Sequence, residues 1–143
     1  MINEAQIKTK RILVVEDEPH ISEICQLIFG DEGFYVDTAE NGQTALEILR
    51  QTEYDILFVD IKMPLMSGIE LYNCLDKELP QLTKSVVFTS GDVMNNDVTA
   101  FLAKTNRPFL PKPFTIKELK TIIETAMGKE THDSANKLPM QVA

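Results

Sequence analysis

The chain has 143 residues, a formal net charge of −8, 43% hydrophobic and 25% charged residues. That length and composition fit one globular domain with its own core and exclude wholesale disorder. The acidity argues against direct binding to a nucleic-acid backbone, and no apolar run approaches the roughly 20 residues of a membrane span.

Residues 1–10 are polar, lack the apolar stretch of a signal peptide and are expected to be flexible, which makes the cytoplasm the expected compartment. The chain then alternates short apolar runs with helical stripes. Ile12-Leu-Val-Val15 is too short for a helix and reads as a strand. Ile21, Ile24, Cys25 and Ile28 recur at i, i+3, i+4 and i+7, a helix that ends near Gly30. Phe34–Thr38 mixes apolar and polar residues, as a half-exposed strand would. A second helix follows Asn41-Gly42, and Ile56–Val59 is a third strand. Leu71, Tyr72 and Leu75 mark a third helix entered through Ser67-Gly68, and Ser85–Phe88 a fourth strand. Val98, Phe101 and Leu102 mark the fourth helix, with Asn95 as a capping residue; Phe109-Leu110 is a brief fifth strand. The fifth helix carries the stripe Ile116, Leu119, Ile122, Ile123 and Ala126, opens on the capping box Thr115-Ile-Lys-Glu118 and ends at Gly128. Residues 128–143 show no apolar periodicity and read as a disordered tail whose charges cancel. Cys25 and Cys74 lie far apart and read as small apolar residues on helices; His20 and His132 make no metal site.

Five strand–helix repeats with continuous apolar strands imply an α/β domain over residues 11–127. The expected architecture is a doubly wound, five-stranded parallel sheet in the order 2-1-3-4-5, with helices on both faces. In such sheets the functional site lies beyond the carboxyl ends of the strands. Glu16-Asp17-Glu18 follow the first strand, Asp60 the third, Thr89 the fourth and Lys112 the fifth. Glu16, Asp17 and Asp60 would repel one another unless a hard divalent cation such as Mg²⁺ joined them. A carboxylate held there can attack phosphorus to form an aspartyl phosphate. Mg²⁺, the Lys112 ammonium and the Thr89 hydroxyl would then neutralise one phosphoryl oxygen each.

Four segments together resemble the receiver domain of two-component response regulators. They are Arg11–Pro19 (RILVVEDEP), Ile56–Pro64 (ILFVDIKMP) with Ser67-Gly68, Val86–Asp92 (VVFTSGD) and Leu110–Phe114 (LPKPF). The resemblance implies a flavodoxin-like fold and a phosphoacceptor that takes the phosphoryl group onto Asp60 from a sensor histidine kinase or histidine phosphotransfer domain, then hydrolyses it. It implies Glu16 and Asp17 as the acidic Mg²⁺ pair, the backbone carbonyl of Lys62 as a further ligand and a cis Lys112–Pro113 bond. Thr89 and Phe109 would form a switch that remodels the surface of the fourth helix, fifth strand and fifth helix, where partners dock or copies dimerise. The segments around Thr89, Phe101 and Arg107–Phe114 look most like receivers of hybrid sensor histidine kinases. The residues after Gly128 are too few for an effector domain, so a stand-alone regulator and a receiver cut from a longer protein are both open.

Pro111 before Lys112 removes a backbone donor and suggests that the fifth strand is an edge strand or is broken there. Lys62 and Gly91 flank the phosphoryl site at positions that tune dephosphorylation in this family. A phosphatase of the haloacid dehalogenase type would need an acid where Lys62 stands. A flavin-binding module would need a phosphate loop where the acidic run Glu16–Glu18 stands. A scaffold that binds partners without phosphorylation is the remaining alternative.

Overall fold

The computed structural model describes residues 9–128. The expected flexible N-terminus and tail therefore lie outside the described residues, save for Thr9, Lys10 and Gly128. The elements alternate as β1 (Arg11–Val15), α1 (Pro19–Asp31), β2 (Tyr35–Ala39), α2 (Gly42–Gln51), β3 (Ile56–Asp60), α3 (Gly68–Glu78), β4 (Val86–Ser90), α4 (Asn96–Thr105), β5 (Phe109–Pro111) and α5 (Ile116–Ala126). The sheet is parallel throughout, in the order β2-β1-β3-β4-β5.

Two apolar layers hold it. Along β1, Leu13 and Val15 face one side with Leu57, Val59 and Phe88; there they meet Leu46 of α2, Leu71 and Leu75 of α3 and Val98 of α4. Ile12 and Val14 face the other side with Phe58, Val87 and Leu110, against Cys25 and Phe29 of α1 and Leu119, Ile122 and Ile123 of α5. The alternation of strand side chains makes this division, so the unbroken apolar runs mark strands buried on both faces. Cys25 is fully buried in the second layer, which pushes its thiol up to about 12 and leaves it inert, while Cys74 is half-buried.

The helix starts follow their side chains. Asn41 accepts a hydrogen bond from the Thr44 N–H and Asn95 accepts from those of Asp97 and Val98. Ser67 with Glu70, and Thr115 with Glu118, form complete capping boxes. Three expectations shift. β2 starts at Tyr35 and ends at Ala39; β3 runs on through Asp60 and β4 through Thr89 and Ser90. Apolar runs report burial, whereas a strand persists as long as its backbone ladder does, and the register pairs Asp60 with Thr89. Ser85 closes a 3-10 turn over Pro80–Ser85 rather than opening β4, and helical periodicity cannot reveal so short a turn. Pro111 lies opposite Ser90 in the edge strand with its ring nitrogen turned to the open edge, so no ladder bond is lost, and the next N–H, that of Lys112, bonds Ser90 O at 3.0 Å.

Leu65, in the loop after β3, is held at φ +64 with 77% of its surface exposed. A branched side chain is strained in the left-handed region and gains no burial in return here. Leu65→Asn is therefore expected to stabilise the domain by about 0.5–1 kcal/mol, read as a higher denaturant midpoint at unchanged slope. A lower midpoint would show that the leucine makes a packing contribution larger than the strain.

Candidate functional site

Five predicted side chains converge at the carboxyl ends of the strands, and each is placed there by backbone pairing. Asp60 ends β3 and Thr89 lies beside it in β4, so these two are neighbours by register. Glu16 follows β1, its N–H bonded to Ala39 O at 2.9 Å, and Lys112 follows β5, fastened by its N–H to Ser90 O. Asp17 completes the group: one carboxylate oxygen from each of Glu16, Asp17 and Asp60 lies within 4.8 Å of the others. Glu16 is 3% exposed and Asp60 4% exposed, so two of the three acids are buried.

Lys112 binds this cluster together. Its Nζ donates to Asp60 Oδ2 at 2.9 Å and to Glu16 Oε2 at 3.2 Å. It also lies 2.9 Å from Glu16 Oε1 and 3.6 Å from Glu18 Oε1. The second oxygen of Asp60, Oδ1, accepts the Lys62 N–H at 3.1 Å. Burial disfavours the ammonium of Lys112, but the hydrogen bonds and charges of Asp60 and Glu16 outweigh it, and its affinity for the proton is raised. For Glu16, burial first and the charge of Asp60 second push the carboxyl up to about 7, against the pull of Lys112.

Glu16, Asp17 and Asp60 present carboxylate oxygens to one point, the donor chemistry of a Mg²⁺ site. Glu16 Oε1 is buried and its cationic neighbour is Lys112 Nζ at 2.9 Å, an ammonium it shares with Glu16 Oε2 and Asp60. Three hard carboxylates served by one ammonium leave negative charge over, which fits a cation that takes oxygen ligands and keeps several waters. The residues present fit the group.

Thr89 is fully buried, and its hydroxyl donates to Leu110 O in β5 at 2.7 Å rather than facing the acids. Phe109, half-buried and paired in register with Phe88, packs onto the layer that holds α4. The Lys112–Pro113 bond is cis, as expected. Of Lys62, the N–H is the part seen to reach Asp60.

Sequence reasoning overlooked Gly68. A Cβ there would stand 2.6 Å from Asp60 O and 2.8 Å from Ile61 Cα, so α3 starts directly under the end of β3. The signal was present in Ser67-Gly68 but read only as a helix entry. It also left Glu18 and Asp92 without a role. Both line the cleft above the acids, about 640 Å³ in volume, with Asp17, Asp60, Lys62, Gly91 and Lys112. A second, apolar groove of about 710 Å³ runs between α1 and α5 past Ile24, Leu27 and Ile116, and shares Gly91 and Lys112 as walls with the acidic cleft.

The family model described as response regulator receiver domain matches residues 12–124. The chain is 33% identical over 125 residues to the transcriptional regulatory protein YkoG of Bacillus subtilis, over 85% of this chain and 54% of that protein. It is 28% identical over 129 residues to the transcriptional regulatory protein ResD of the same organism, over 90% of this chain and 52% of that one. Among solved structures it resembles the response regulator TrrA of Thermotoga maritima in complex with Mg²⁺ and BeF, with 31% identity and a TM-score of 0.70 over 82% of this chain and 99% of that one. The receiver domain of the sensor histidine kinase PA1611 of Pseudomonas aeruginosa shares the fold at 20% identity and a TM-score of 0.75, over 85% of this chain and 99% of that one. The chain spans about half the length of the curated relatives it matches.

Proposed function

Because the chain belongs to the response regulator receiver domain family, we propose that residues 11–127 form a phosphoacceptor domain that accepts a phosphoryl group from phosphohistidine on Asp60. The single observation that carries this reading is the Lys112 ammonium hydrogen-bonded to a buried Asp60 within a three-carboxylate cluster. The donor would be a sensor histidine kinase or a histidine phosphotransfer domain. An Asp60 oxygen attacks phosphorus, the phosphorus–nitrogen bond breaks with its electron pair passing to the ring nitrogen, and the imidazole leaves neutral because its other nitrogen carries a proton taken from solvent. Glu16, Asp17, Asp60 and the Lys62 carbonyl would hold Mg²⁺, which when bound neutralises charge on the phosphoryl oxygens. Lys112 exchanges its bond to Asp60 for one to a phosphoryl oxygen. The Thr89 hydroxyl does the same by leaving Leu110 O. A neutral hydrogen bond worth about 1 kcal/mol net is thereby replaced by a stronger charge-assisted one, which gives the switch a direction. Loss of the Thr89–Leu110 bond loosens β4 from β5 next to Phe109, and so couples Asp60 to the surface of α4, β5 and α5.

The matched segment covers 54% and 52% of the two relatives named as transcriptional regulatory proteins, which are therefore longer than this chain. Any nucleic-acid contact of a longer parent protein is expected to lie outside this acidic domain. Among the described residues no helix is long and apolar enough to cross a membrane; a cytoplasmic location and dimerisation through α4, β5 and α5 remain part of the proposal.

Intact mass after incubation with acetyl phosphate tests the reading. A base-labile phosphoryl adduct is expected with Mg²⁺ and none after chelation. No adduct, together with no Mg²⁺-dependent binding of beryllofluoride, would instead favour a scaffold that works without phosphorylation.

A pH dependence follows from Glu16. Its folded-state value of about 7 lies above the ordinary carboxyl value of 4.5. The metal-free protein gains from the protonated form at low pH and loses that contribution as pH rises through the window between those two values. Mg²⁺ needs the ionised form, so binding should weaken by up to about tenfold per pH unit below about pH 7. Calorimetric titration in buffers of different ionisation enthalpy should show proton release near pH 6.5 and little at pH 8.5. Equal affinity and no proton release across that range would contradict the assignment of Glu16 as a ligand.

A further inference from the structure

We propose that Glu18 and Asp92 are specificity residues that read the charge of the phosphodonor at the mouth of the cleft; the inference rests on the phosphoacceptor reading of Asp60. The two acids rise from separate loops, after β1 and after β4, and line the same cleft as Asp60. Each faces an ammonium group of the site. Glu18 Oε1 lies 3.6 Å from Lys112 Nζ, and Asp92 Oδ2 lies 3.9 Å from Lys62 Nζ.

Neither carboxylate has another structural task. Glu18 occupies the N-cap position of α1, where a side chain ordinarily caps the helix, yet its side chain makes no capping bond. The backbone N–H of Glu18 is the part that bonds inward, to Glu16 Oε2 at 3.2 Å. Asp92 likewise is fixed by its backbone N–H, which bonds Ser90 Oγ at 3.0 Å, and its side chain is left to Lys62. The carboxylates are thus held at the rim by the backbone while their charges stay partly in water, 49% exposed for the Glu18 side chain and 37% for that of Asp92.

The cleft is lined by Asp17, Glu18, Asp60 and Asp92 against Lys62 and Lys112, with Glu16 buried behind. Five carboxylates face two ammonium groups, and a bound Mg²⁺ would still leave an excess of one negative charge, so a free phosphodonor carrying two negative charges enters against a field of its own sign. A donor of lower negative charge, or one whose phosphoryl group arrives on an imidazole amid basic protein surface, meets less opposition. The rim therefore disfavours free acyl phosphates relative to protein-bound phosphohistidine. The overall charge of −8 points to the same kind of partner, a phosphohistidine set in positive surroundings.

The test compares Glu18→Gln and Asp92→Asn with the wild type at saturating Mg²⁺. Phosphorylation is followed by intact mass with acetyl phosphate, a dianion at neutral pH, and with phosphoramidate, which carries a smaller net negative charge. Removing one rim carboxylate should raise the second-order rate constant for acetyl phosphate about three- to tenfold at low salt. The rate with phosphoramidate should rise distinctly less, and the difference should shrink as salt is added. Equal changes with both donors, or a change that salt does not move, would overturn the inference, as would unchanged rates. Thermal melts exclude a folding defect, and Glu18→Asp should restore the wild-type donor preference. Failure of every variant and of the wild type to form any adduct would instead defeat the phosphoacceptor reading itself.

Discussion

Asp60→Asn is expected to remove phosphorylation completely while leaving the domain folded, and in the absence of Mg²⁺ slightly more stable. The amide keeps the shape and the acceptor oxygen that holds the Lys62 N–H at 3.1 Å. It cannot act as the carboxylate nucleophile. Lys112 keeps Glu16 as a buried partner, so no ammonium is stranded. The mutual repulsion of Asp60 and Glu16 disappears, and with it one of the two main causes that push Glu16 up to about 7. The gain at pH 8 in chelator should be about 1 kcal/mol, seen as a higher denaturant midpoint, and the stabilisation from added Mg²⁺ should shrink. Mass spectrometry with acetyl phosphate decides the chemical part. An undiminished adduct in the variant would place the acceptor elsewhere and sink the proposal, whatever its stability.

Gly68→Ala should do the opposite: keep every reactive group and damage the fold and the site together. The added methyl would stand 2.6 Å from Asp60 O, 2.8 Å from Ile61 Cα and 3.0 Å from Val59 Cγ1. Two of these are backbone atoms at the end of β3 that carries Asp60, so relief requires α3 or β3 to move. Overpacking of this kind costs about 3 kcal/mol, which lowers Tm by roughly 10–15 °C in a domain of this size. A displacement of Asp60 approaching 1 Å should also slow phosphorylation by about 10²-fold. Gly30→Ala is the control: nothing lies within 4 Å of a Cβ there, and the residue is inside α1, so a gain of up to about 1 kcal/mol is expected. Equal stability of the two variants would show that the end of β3 is softer than its packing implies.

The sequence alone determined the element order, the parallel sheet, its strand order, and which end of it carries the chemistry. Each of these rests on patterns that operate within a few residues: apolar runs such as Ile12–Val15, helical stripes such as Ile21 to Ile28, capping boxes at Thr115, and polar residues directly after each strand. It also brought Glu16, Asp17, Asp60, Thr89 and Lys112 to one rim, because in a parallel sheet every strand ends at the same edge.

Only the tertiary structure decided what those groups do to one another. Lys112 lies 52 residues from Asp60 in sequence and 2.9 Å from it in space. The raised proton affinity of Glu16 comes from burial that no local pattern reports. Thr89 turned out to donate to Leu110 O, a bond that exists because β4 and β5 are neighbours. The requirement for glycine at position 68 comes from α3 starting against the end of β3, and the placing of Glu18 Oε1 3.6 Å from Lys112 Nζ from the meeting of two strand ends. Periodicity is a local property of the chain, and it survives in the sequence. Distances between side chains depend on strand register, helix placement and exclusion of water, which exist only once the whole sheet has closed.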